Sequence, residues 1–176
     1  MRDAAAEAAW QSYRRMRTQL ASQINRDLSQ ATGLSEADFE ILTALSAAEQ
    51  QSLRSRELRC GLDWEKSRLS HQLRRMEARG LVSREACAED SRSVVIRITA
   101  VGKTTYSRAR RCHEAAVERY FVSALDAEQL AALGEASAAI LSKLNAAEPS
   151  GKTRIAGVEV EERDILRGTC ESAPSA

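Results

Sequence analysis

The sequence predicts a mainly α-helical fold with one small β-hairpin, and three observations support this prediction. Alanine is abundant, whereas the 176 residues include just 2 Pro and 8 Gly, a composition that favours helices and leaves little turn material for an all-β fold. Apolar residues recur at intervals of three, four and seven along most of the chain. The pattern changes at 94–99, where VVIRIT is rich in β-branched residues typical of a strand.

Two helices are predicted in the first part of the chain. The first runs from Asp3 to about Ser29, with an apolar stripe along one face. The second covers 34–47, with Ser35 as its N-cap and Asp38 three residues later at the capping-box position.

A pair of closely spaced helices follows, in the pattern of a helix-turn-helix. The polar residues 49–52 are interpreted as a break between the second helix and the next one. A short helix at 55–61 is expected to end at Gly61, because glycine tolerates the left-handed conformation found at helix ends. Asp63 then caps a longer helix, 64–79. Two helices joined by such a tight turn are typical of DNA-binding proteins.

The hairpin and two further helices complete the predicted elements. Short strands at 81–83 and 94–99 are joined by a polar loop that is too long for a two-residue turn, so the loop is expected to project. A helix is predicted at 102–121. Another follows Asp126, with Gln129 at its capping-box position.

The helix predicted at 64–79 has one apolar and one polar face. At about 100° per residue, Leu69, Leu73 and Met76 fall together and are expected to be buried. The opposite face and its flanks carry cations and hydrogen-bonding groups but no acid: Lys66, Ser67, Arg68, Ser70, His71, Gln72, Arg74 and Arg75. Arginine, glutamine and histidine are suited to base edges, and serine and lysine to phosphates.

The charge distribution agrees with a nucleic-acid surface. The chain has a formal net charge of +1, yet the segment 52–84 contains 9 Lys and Arg against 4 Asp and Glu, a local charge of +5. Arg84, Arg92 and Arg97 flank or lie in the projecting loop, and arginine is favoured in the minor groove. Trp64 is expected either to pack on the short helix or to contact a sugar-phosphate.

These segments resemble the MarR family of winged helix-turn-helix regulators. The matching stretches are LSEADFEILTAL at 34–45, the helix-turn-helix at 57–85 and EDSRSVVIRITAVGK at 89–103, and the resemblance extends over about 34–144. It implies that Arg92 enters the minor groove and that Asp90 orients nearby arginines. It further implies a set of residues that face the major groove: Ser67, Arg68, His71, Gln72 and Arg75.

The resemblance implies a sequence-specific DNA-binding transcriptional regulator. It also implies a repressor, because members of this family commonly repress. A homodimer would bind a pseudo-palindromic operator, because one recognition helix reads few base pairs. The expected organisation is an N-terminal dimerisation helix (1–33), a winged lobe (34–102), C-terminal dimerisation helices (103–146) and a flexible tail (147–176).

The sequence leaves two alternatives for the signal that controls such a regulator. The resemblance implies a small phenolic or amphipathic effector, with candidate pocket residues Trp10, Tyr13, Arg17, Phe39, Arg110 and His113; alternatively, the aromatic residues are dimer core. A redox-responsive regulator would sense through Cys60 or Cys87, although both are more simply structural thiols. A helical interaction protein that does not bind DNA is the rival class.

Several other classes are not expected. No Cys/His pair has the spacing of a metal site, and His71 and His113 are far apart, so no metal is predicted. The sequence lacks a Gly-rich phosphate loop, HExxH and GxSxG, so neither an enzyme nor a cofactor is predicted. No apolar run approaches the roughly 18 residues of a membrane span, and a cytoplasmic location is expected.

Overall fold

The computed structural model describes residues 3–86 and 94–147, which are mostly helical with a three-stranded antiparallel sheet. This confirms the predicted fold class. In chain order the elements are α1 (Ala4–Thr32), α2 (Glu36–Ala47), β1 (Ser52–Arg54), α3 (Ser55–Leu62), α4 (Lys66–Ala78), β2 (Val82–Ala86), β3 (Val94–Ile98), α5 (Ala100–Tyr120), a short 3-10 helix (Val122–Ala124) and α6 (Ala127–Ala147). Of the predicted tail (147–176), residue 147 is the last residue of α6, and 148–176 lie outside the described residues.

The chain divides into two compact units. One, here called the helical unit, comprises residues 3–36 and 107–147 and contains α1, most of α5 and α6. The other, here called the sheet lobe, comprises residues 37–106 and contains α2, α3, α4, the sheet and the first residues of α5.

In the helical unit, α1 extends to Thr32, past its predicted end near Ser29. Gly33 adopts the left-handed conformation with φ 71°, and its N–H donates to the carbonyl of Ser29 at 2.8 Å. The Arg108 guanidinium donates to the carbonyl of Ala31 at 3.1 Å. A glycine cap and a cation from α5 therefore satisfy the carbonyls of Ser29 and Ala31 at this helix end.

A polar cluster around Asp27 ties α1 to α5. The hydroxyl of Tyr120 donates to Oδ2 of Asp27 at 3.0 Å, and Nε2 of Gln23 donates to its Oδ1 at 3.1 Å. The thiol of Cys112 lies 3.6 Å from the Asp27 carbonyl. At the start of α6 the predicted capping box is confirmed, because Asp126 and Gln129 exchange backbone-to-side-chain hydrogen bonds of 3.0 and 2.8 Å.

The sheet of the sheet lobe has the strand order β1–β3–β2. Strands β2 and β3 form the predicted hairpin, with Val82 opposite Ile98 and Ala86 opposite Val94. Strand β1, where the sequence predicted a polar break, pairs with the other edge of β3, with Leu53 opposite Ile96. Three residues are too few to display a strand period, so this pairing depends on the β3 edge and not on a local pattern.

The core of the sheet lobe is apolar and confirms the buried face predicted for α4. Leu69, Leu73 and Met76 are at most 2% exposed. Each such side chain contributes about 1.5–3 kcal/mol on leaving water. The other large buried apolar residues of this lobe come from α2, α3, β2, β3 and the segments that flank α4: Ile41, Leu42, Leu45, Leu58, Trp64, Leu81, Val82, Ile96 and Ile98.

The turn between α3 and α4 differs from the predicted one. Helix α3 continues to Leu62, Gly61 lies within its last turn and is buried, and Asp63 takes the left-handed conformation with φ 52°. The backbone N–H of Trp64 donates to the carbonyl of Arg59 at 3.1 Å and closes the turn. Aspartate tolerates this conformation because its short polar side chain relieves the steric cost. Helix α4 starts at Lys66, two residues later than predicted.

A threonine corner joins the end of β3, the start of α5 and the residues that follow α4. The hydroxyl of Thr99 donates to the carbonyl of Gly80 at 2.6 Å and accepts from the N–H of Gly102 at 3.0 Å. The backbone of Gly102 lies so close to the carbonyl oxygen of Leu81 that a Cβ would overlap it. Glycine is therefore required here by close packing.

A buried carboxylate connects α2 with α4. Asp38 is 1% exposed, and its Oδ1 accepts a 2.6 Å hydrogen bond from Nε2 of Gln72. Its Oδ2 accepts a 2.8 Å hydrogen bond from Nη1 of Arg79, which is also an ion pair. Because a buried carboxylate needs hydrogen-bonding or charged partners, these contacts hold the middle and the C-terminal end of α4 against α2.

Replacing Asp38 by asparagine should destabilise the sheet lobe by about 1.5–3 kcal/mol, the range for a hydrogen bond to a charged group. The amide keeps the shape of the side chain but removes the charge that faces Arg79. Urea denaturation gives the free energy of unfolding. Glu49→Gln removes the same charge at an exposed position just beyond α2 and should change stability by less than about 0.5 kcal/mol. Equal effects of the two variants would contradict a special role for Asp38.

Gly102→Ala should cost about 1–3 kcal/mol, because the added methyl group meets the Leu81 carbonyl and Cγ1 of Ile98. Gly134→Ala is the matched control on α6, where nothing lies within 4 Å of the added atom. That change should stabilise the chain by about 0.5–1 kcal/mol through helix propensity. Thermal and urea unfolding compare the two variants. If Gly102→Ala were also stabilising, the close packing at the threonine corner would be refuted.

Candidate nucleic-acid interface

The solvent-facing side of α4 is polar and cationic. Between Glu65 and Glu77, at its two ends, the helix contains no acid. Seven of the eight residues predicted for the interface on this helix are exposed: Lys66, Ser67, Arg68, Ser70, His71, Arg74 and Arg75. The face therefore presents positive charge and hydrogen-bond donors to any neighbouring molecule, with no carboxylate to repel phosphate.

Gln72 requires a correction. The helical projection placed it on the flank of the exposed face, but the side chain is 8% exposed and its amide donates to the buried carboxylate of Asp38. The angular position of Gln72 lies at the border between the two faces, and the partner on α2 decides which way the amide points. Gln72 thus serves to fix α4, and it is not presented to the solvent with its neighbours.

Trp64 lies under the cationic face. The side chain is 7% exposed, and the guanidinium carbon of Arg68 lies 4.0 Å from the centroid of its ring. This distance is well within the range of about 6 Å for a cation–π contact. Of the two alternatives from the sequence, the structure therefore supports packing within the protein. It adds the stacked Arg68, which the spacing of four residues allows but does not require.

The acid at the C-terminal end of α4 is neutralised by the hairpin. Nε of Arg84, in β2, lies 3.1 Å from Oε2 of Glu77. Nε and Nη2 of Arg84 are buried without a geometrically sound hydrogen bond among the described residues, so the contact is one of charge and not of good hydrogen-bond geometry. The negative charge of Glu77 is thus paired at the edge of the cationic face.

The wing arginines have different positions. Arg97, in β3, donates to the side chain of Glu85 at 3.3 Å and to the carbonyl of Gln50 at 3.2 Å, so it is attached to the sheet. The segment 87–93 is not among the described residues, and it contains the predicted site residues Cys87, Asp90 and Arg92. Cys60, the other candidate redox residue, is half-buried on α3.

The candidate effector residues are distributed over both units. In the helical unit, Trp10 and Tyr13 stack with ring centroids 5.8 Å apart and are exposed, while Arg17 lines a shallow depression along α1. Arg110 forms an ion pair of 2.7 Å with Glu114, and His113 is half-buried. Phe39, in the sheet lobe, is half-buried against Tyr106, with centroids 5.7 Å apart. Trp10 and Tyr13 are the candidates that the structure brings into direct contact.

The described residues (3–86 and 94–147) contain neither a cluster of metal ligands nor a membrane-spanning helix. No group of three or more His, Cys, Asp or Glu side chains there is arranged to hold a metal ion. None of the helices in those ranges is both long and apolar enough to span a membrane.

Comparison with known proteins gives consistent matches to one family. A family model described as MarR family matches residues 34–94. The solved structure of AbsC, a MarR family transcriptional regulator from Streptomyces coelicolor, is 34% identical, with coverage of 83% of this chain and 98% of AbsC and a TM-score of 0.75. Sco3205 from the same organism, solved in complex with DNA, is 29% identical, with coverage of 85% and 96% and a TM-score of 0.74.

A more distant match supports the fold alone. A mutant of MarR from E. coli, complexed with operator DNA, is 20% identical, with coverage of 80% of this chain and 99% of that chain and a TM-score of 0.66. The comparison with curated protein sequences finds no match.

The identity to AbsC extends over almost the whole of that protein, and the family model falls on the lobe that carries α4. The chain therefore belongs to the MarR family of transcriptional regulators, and its sheet lobe has the winged-helix DNA-binding fold of that family.

Proposed function

We propose that this protein is a homodimeric repressor that binds a pseudo-palindromic operator, with α4 of each protomer in the major groove. The observation that carries the proposal is the exposed face of α4, which is cationic, rich in donors and free of acid between Glu65 and Glu77. Sco3205, 29% identical, was solved in complex with DNA. Repression would follow where the operator overlaps a promoter, because the bound dimer would occlude it.

Roles within the face follow from position and chemistry. Arg68, His71 and Arg75 are the proposed base readers, because arginine pairs bidentately with guanine and imidazole reaches acceptors on base edges. Lys66, Ser67, Ser70 and Arg74 are proposed to contact phosphates or neighbouring base edges. Gln72 is omitted from the base readers because its amide is used by Asp38. Asp90 and Arg92 keep the wing roles that the family resemblance implies.

A rigid scaffold supports base reading by this face. The buried Asp38 bonds to Gln72 and Arg79, so rotation of α4 about its axis would break two charge-assisted hydrogen bonds. Contacts to base edges require placement of side chains to within about 0.5 Å. A helix held at its middle and at its end meets this requirement better than a helix held by apolar contacts alone.

Dimerisation is proposed through the helical unit. Large apolar side chains on α1 and α6 are 40–60% exposed in the single chain: Trp10, Tyr13, Met16, Ile140, Leu141 and Leu144. Exposed apolar groups on this scale commonly mark an interface. A second copy would cover them and would place two α4 helices on one DNA, which is the arrangement that a pseudo-palindrome requires.

Control by a signal remains a prediction of the family resemblance. Trp10 and Tyr13 have the chemistry to stack on a phenolic effector, but their exposure is equally accounted for by the proposed dimer interface. A redox response through Cys60 or Cys87 would disturb α3 or the wing directly, and it is the alternative mode of release.

Arg75→Ala should weaken operator binding by about 1–3 kcal/mol if Arg75 pairs bidentately with a guanine. The probe is a duplex that the wild-type protein selects from a pool randomised over roughly 30 base pairs, enough for two half-sites one helical turn apart. Binding is measured by gel shift at several salt concentrations, since a DNA complex loses affinity steeply as salt rises.

Arg111→Ala is the matched control for this experiment. It removes an exposed arginine from the part of α5 that belongs to the helical unit, and it should leave the affinity for the selected duplex nearly unchanged. Full affinity of Arg75→Ala would remove Arg75 from the base readers. Failure of the wild-type protein to select any duplex, even at low salt, would favour the helical interaction protein and refute the proposed function.

Replacing Ile140 and Leu144 together by lysine should convert the dimer into a monomer. Both side chains are more than half exposed in the single chain, so the protomer should remain folded while the interface acquires buried charge. Sedimentation velocity measures the mass, and circular dichroism monitors the helix content. Glu135→Lys, on a different face of α6, introduces the same side chain and should remain dimeric. A dimeric double variant would exclude this part of α6 from the interface.

A further inference from the structure

We infer that Trp64 is a positioning residue for DNA recognition, whose ring holds the guanidinium of Arg68 in the orientation in which Arg68 contacts DNA. The inference rests on the proposed function, because it assigns a means of preorganisation to one of the proposed base readers. Trp64 itself is buried and would act through Arg68, without touching the DNA.

The ring is held in place from several sides. Asp63 in the left-handed conformation and the hydrogen bond from the Trp64 N–H to the carbonyl of Arg59 fix the backbone in the turn between α3 and α4. The indole, 7% exposed, is enclosed by the sheet lobe and by Arg68. A ring fixed in this way provides a rigid platform, unlike an aromatic side chain on a mobile loop.

The contact with the ring does not use the hydrogen-bond donors of Arg68. Its guanidinium carbon lies over the indole, 4.0 Å from the ring centroid, so the cation meets the face of the ring. A cation–π contact does not consume the N–H donors of a guanidinium, which can still pair with a base edge or a phosphate. The aromatic partner thus restricts the side chain without consuming the groups that recognise DNA.

Arg68 differs in this respect from the other arginines of the face. Arg74 and Arg75 are exposed, and neither has a ring contact among the described residues. A flexible arginine loses rotamer freedom when it binds, whereas a stacked one has lost much of that freedom already. Arg68 also lies in the first turn of α4, and residues near the N-terminus of a recognition helix are those that contact base edges. Preorganisation at this position should therefore increase affinity.

A double-mutant cycle tests the inference in the full-length protein, with the selected duplex as the probe. Trp64→Leu removes the aromatic face but keeps an apolar side chain, and it is measured with Arg68 intact and together with Arg68→Ala. We expect Trp64→Leu to weaken binding about twofold to fivefold when Arg68 is present, the range for an exposed cation–π contact, and to have no further effect in the Arg68→Ala background.

The control cycle pairs Trp64→Leu with Arg75→Ala. We expect Trp64→Leu to cause the same loss of affinity in the Arg75→Ala background as in the wild-type protein, because Arg75 does not contact the ring. An equal loss in the presence and absence of Arg68 would show that Trp64 acts through the fold, and it would overturn the inference. That outcome concerns the inference alone, because the wild-type protein would still bind the selected duplex. If the wild-type protein selects no duplex at all, the proposed function is refuted instead.

Trp64→Phe keeps the inference testable if Trp64→Leu does not fold, as judged by thermal unfolding. Phenylalanine retains a smaller aromatic face and should restore most of the affinity, with about a twofold loss that again disappears in the Arg68→Ala background. A Trp64→Phe loss that is independent of Arg68 would contradict the positioning role.

Discussion

The contact between the buried carboxylate of Asp38 and two side chains of α4 is the constraint on which the cationic face of the sheet lobe depends. A step of one residue around a helix is a rotation of about 100°, so a small slip of α4 would exchange cationic side chains for Leu69 or Leu73 at the surface. Burial of the leucines already opposes a full step, whereas smaller rotations are less well defined because leucine and methionine adapt to different holes. The hydrogen bonds to Asp38 are directional and leave a buried charge unpaired if they break. The rotation of α4 is therefore set coarsely by apolar burial and finely by polar contacts.

The same helix is controlled differently at its two ends. At the N-terminal end an aromatic ring lies against Arg68 and keeps its charge at the surface. At the C-terminal end Arg84 neutralises Glu77, the first acid after the cationic run. In a chain with a net charge of +1, the positive surface is thus created by local arrangement and not by total charge. Strand β2, which provides Arg84, also begins the wing, so the hairpin and the recognition helix share this electrostatic contact.

The sequence predicted the elements whose pattern is local and repeated. The spacing of Leu69, Leu73 and Met76 identified the buried face of α4, and the Asp126–Gln129 pair identified the start of α6. Features that depend on distant partners were missed. Strand β1 exists because β3 offers a free edge, and Gln72 turns inward because Asp38, 34 residues earlier in the chain, accepts its amide hydrogen bond. Asp63 replaced Gly61 as the left-handed residue because α3 continues to Leu62, with Gly61 buried inside its last turn. The wing tip that carries Arg92 stays a prediction of the family resemblance.

The placement of the two tryptophans has a spectroscopic consequence. The sequence contains 2 Trp, one in each unit: Trp10 is 49% exposed in the helical unit, and Trp64 is 7% exposed in the sheet lobe. An indole in water emits at longer wavelength than one in an apolar core, so a separated protomer should show two emission components. The red component would report on the surface of α1 and should shift to the blue when the proposed dimer covers Trp10, whereas the blue component would report on the turn before α4. Without any label, the chain thus carries one fluorescent reporter in the helical unit and one in the sheet lobe. Unfolding or binding that affects one unit before the other should therefore be resolved in time.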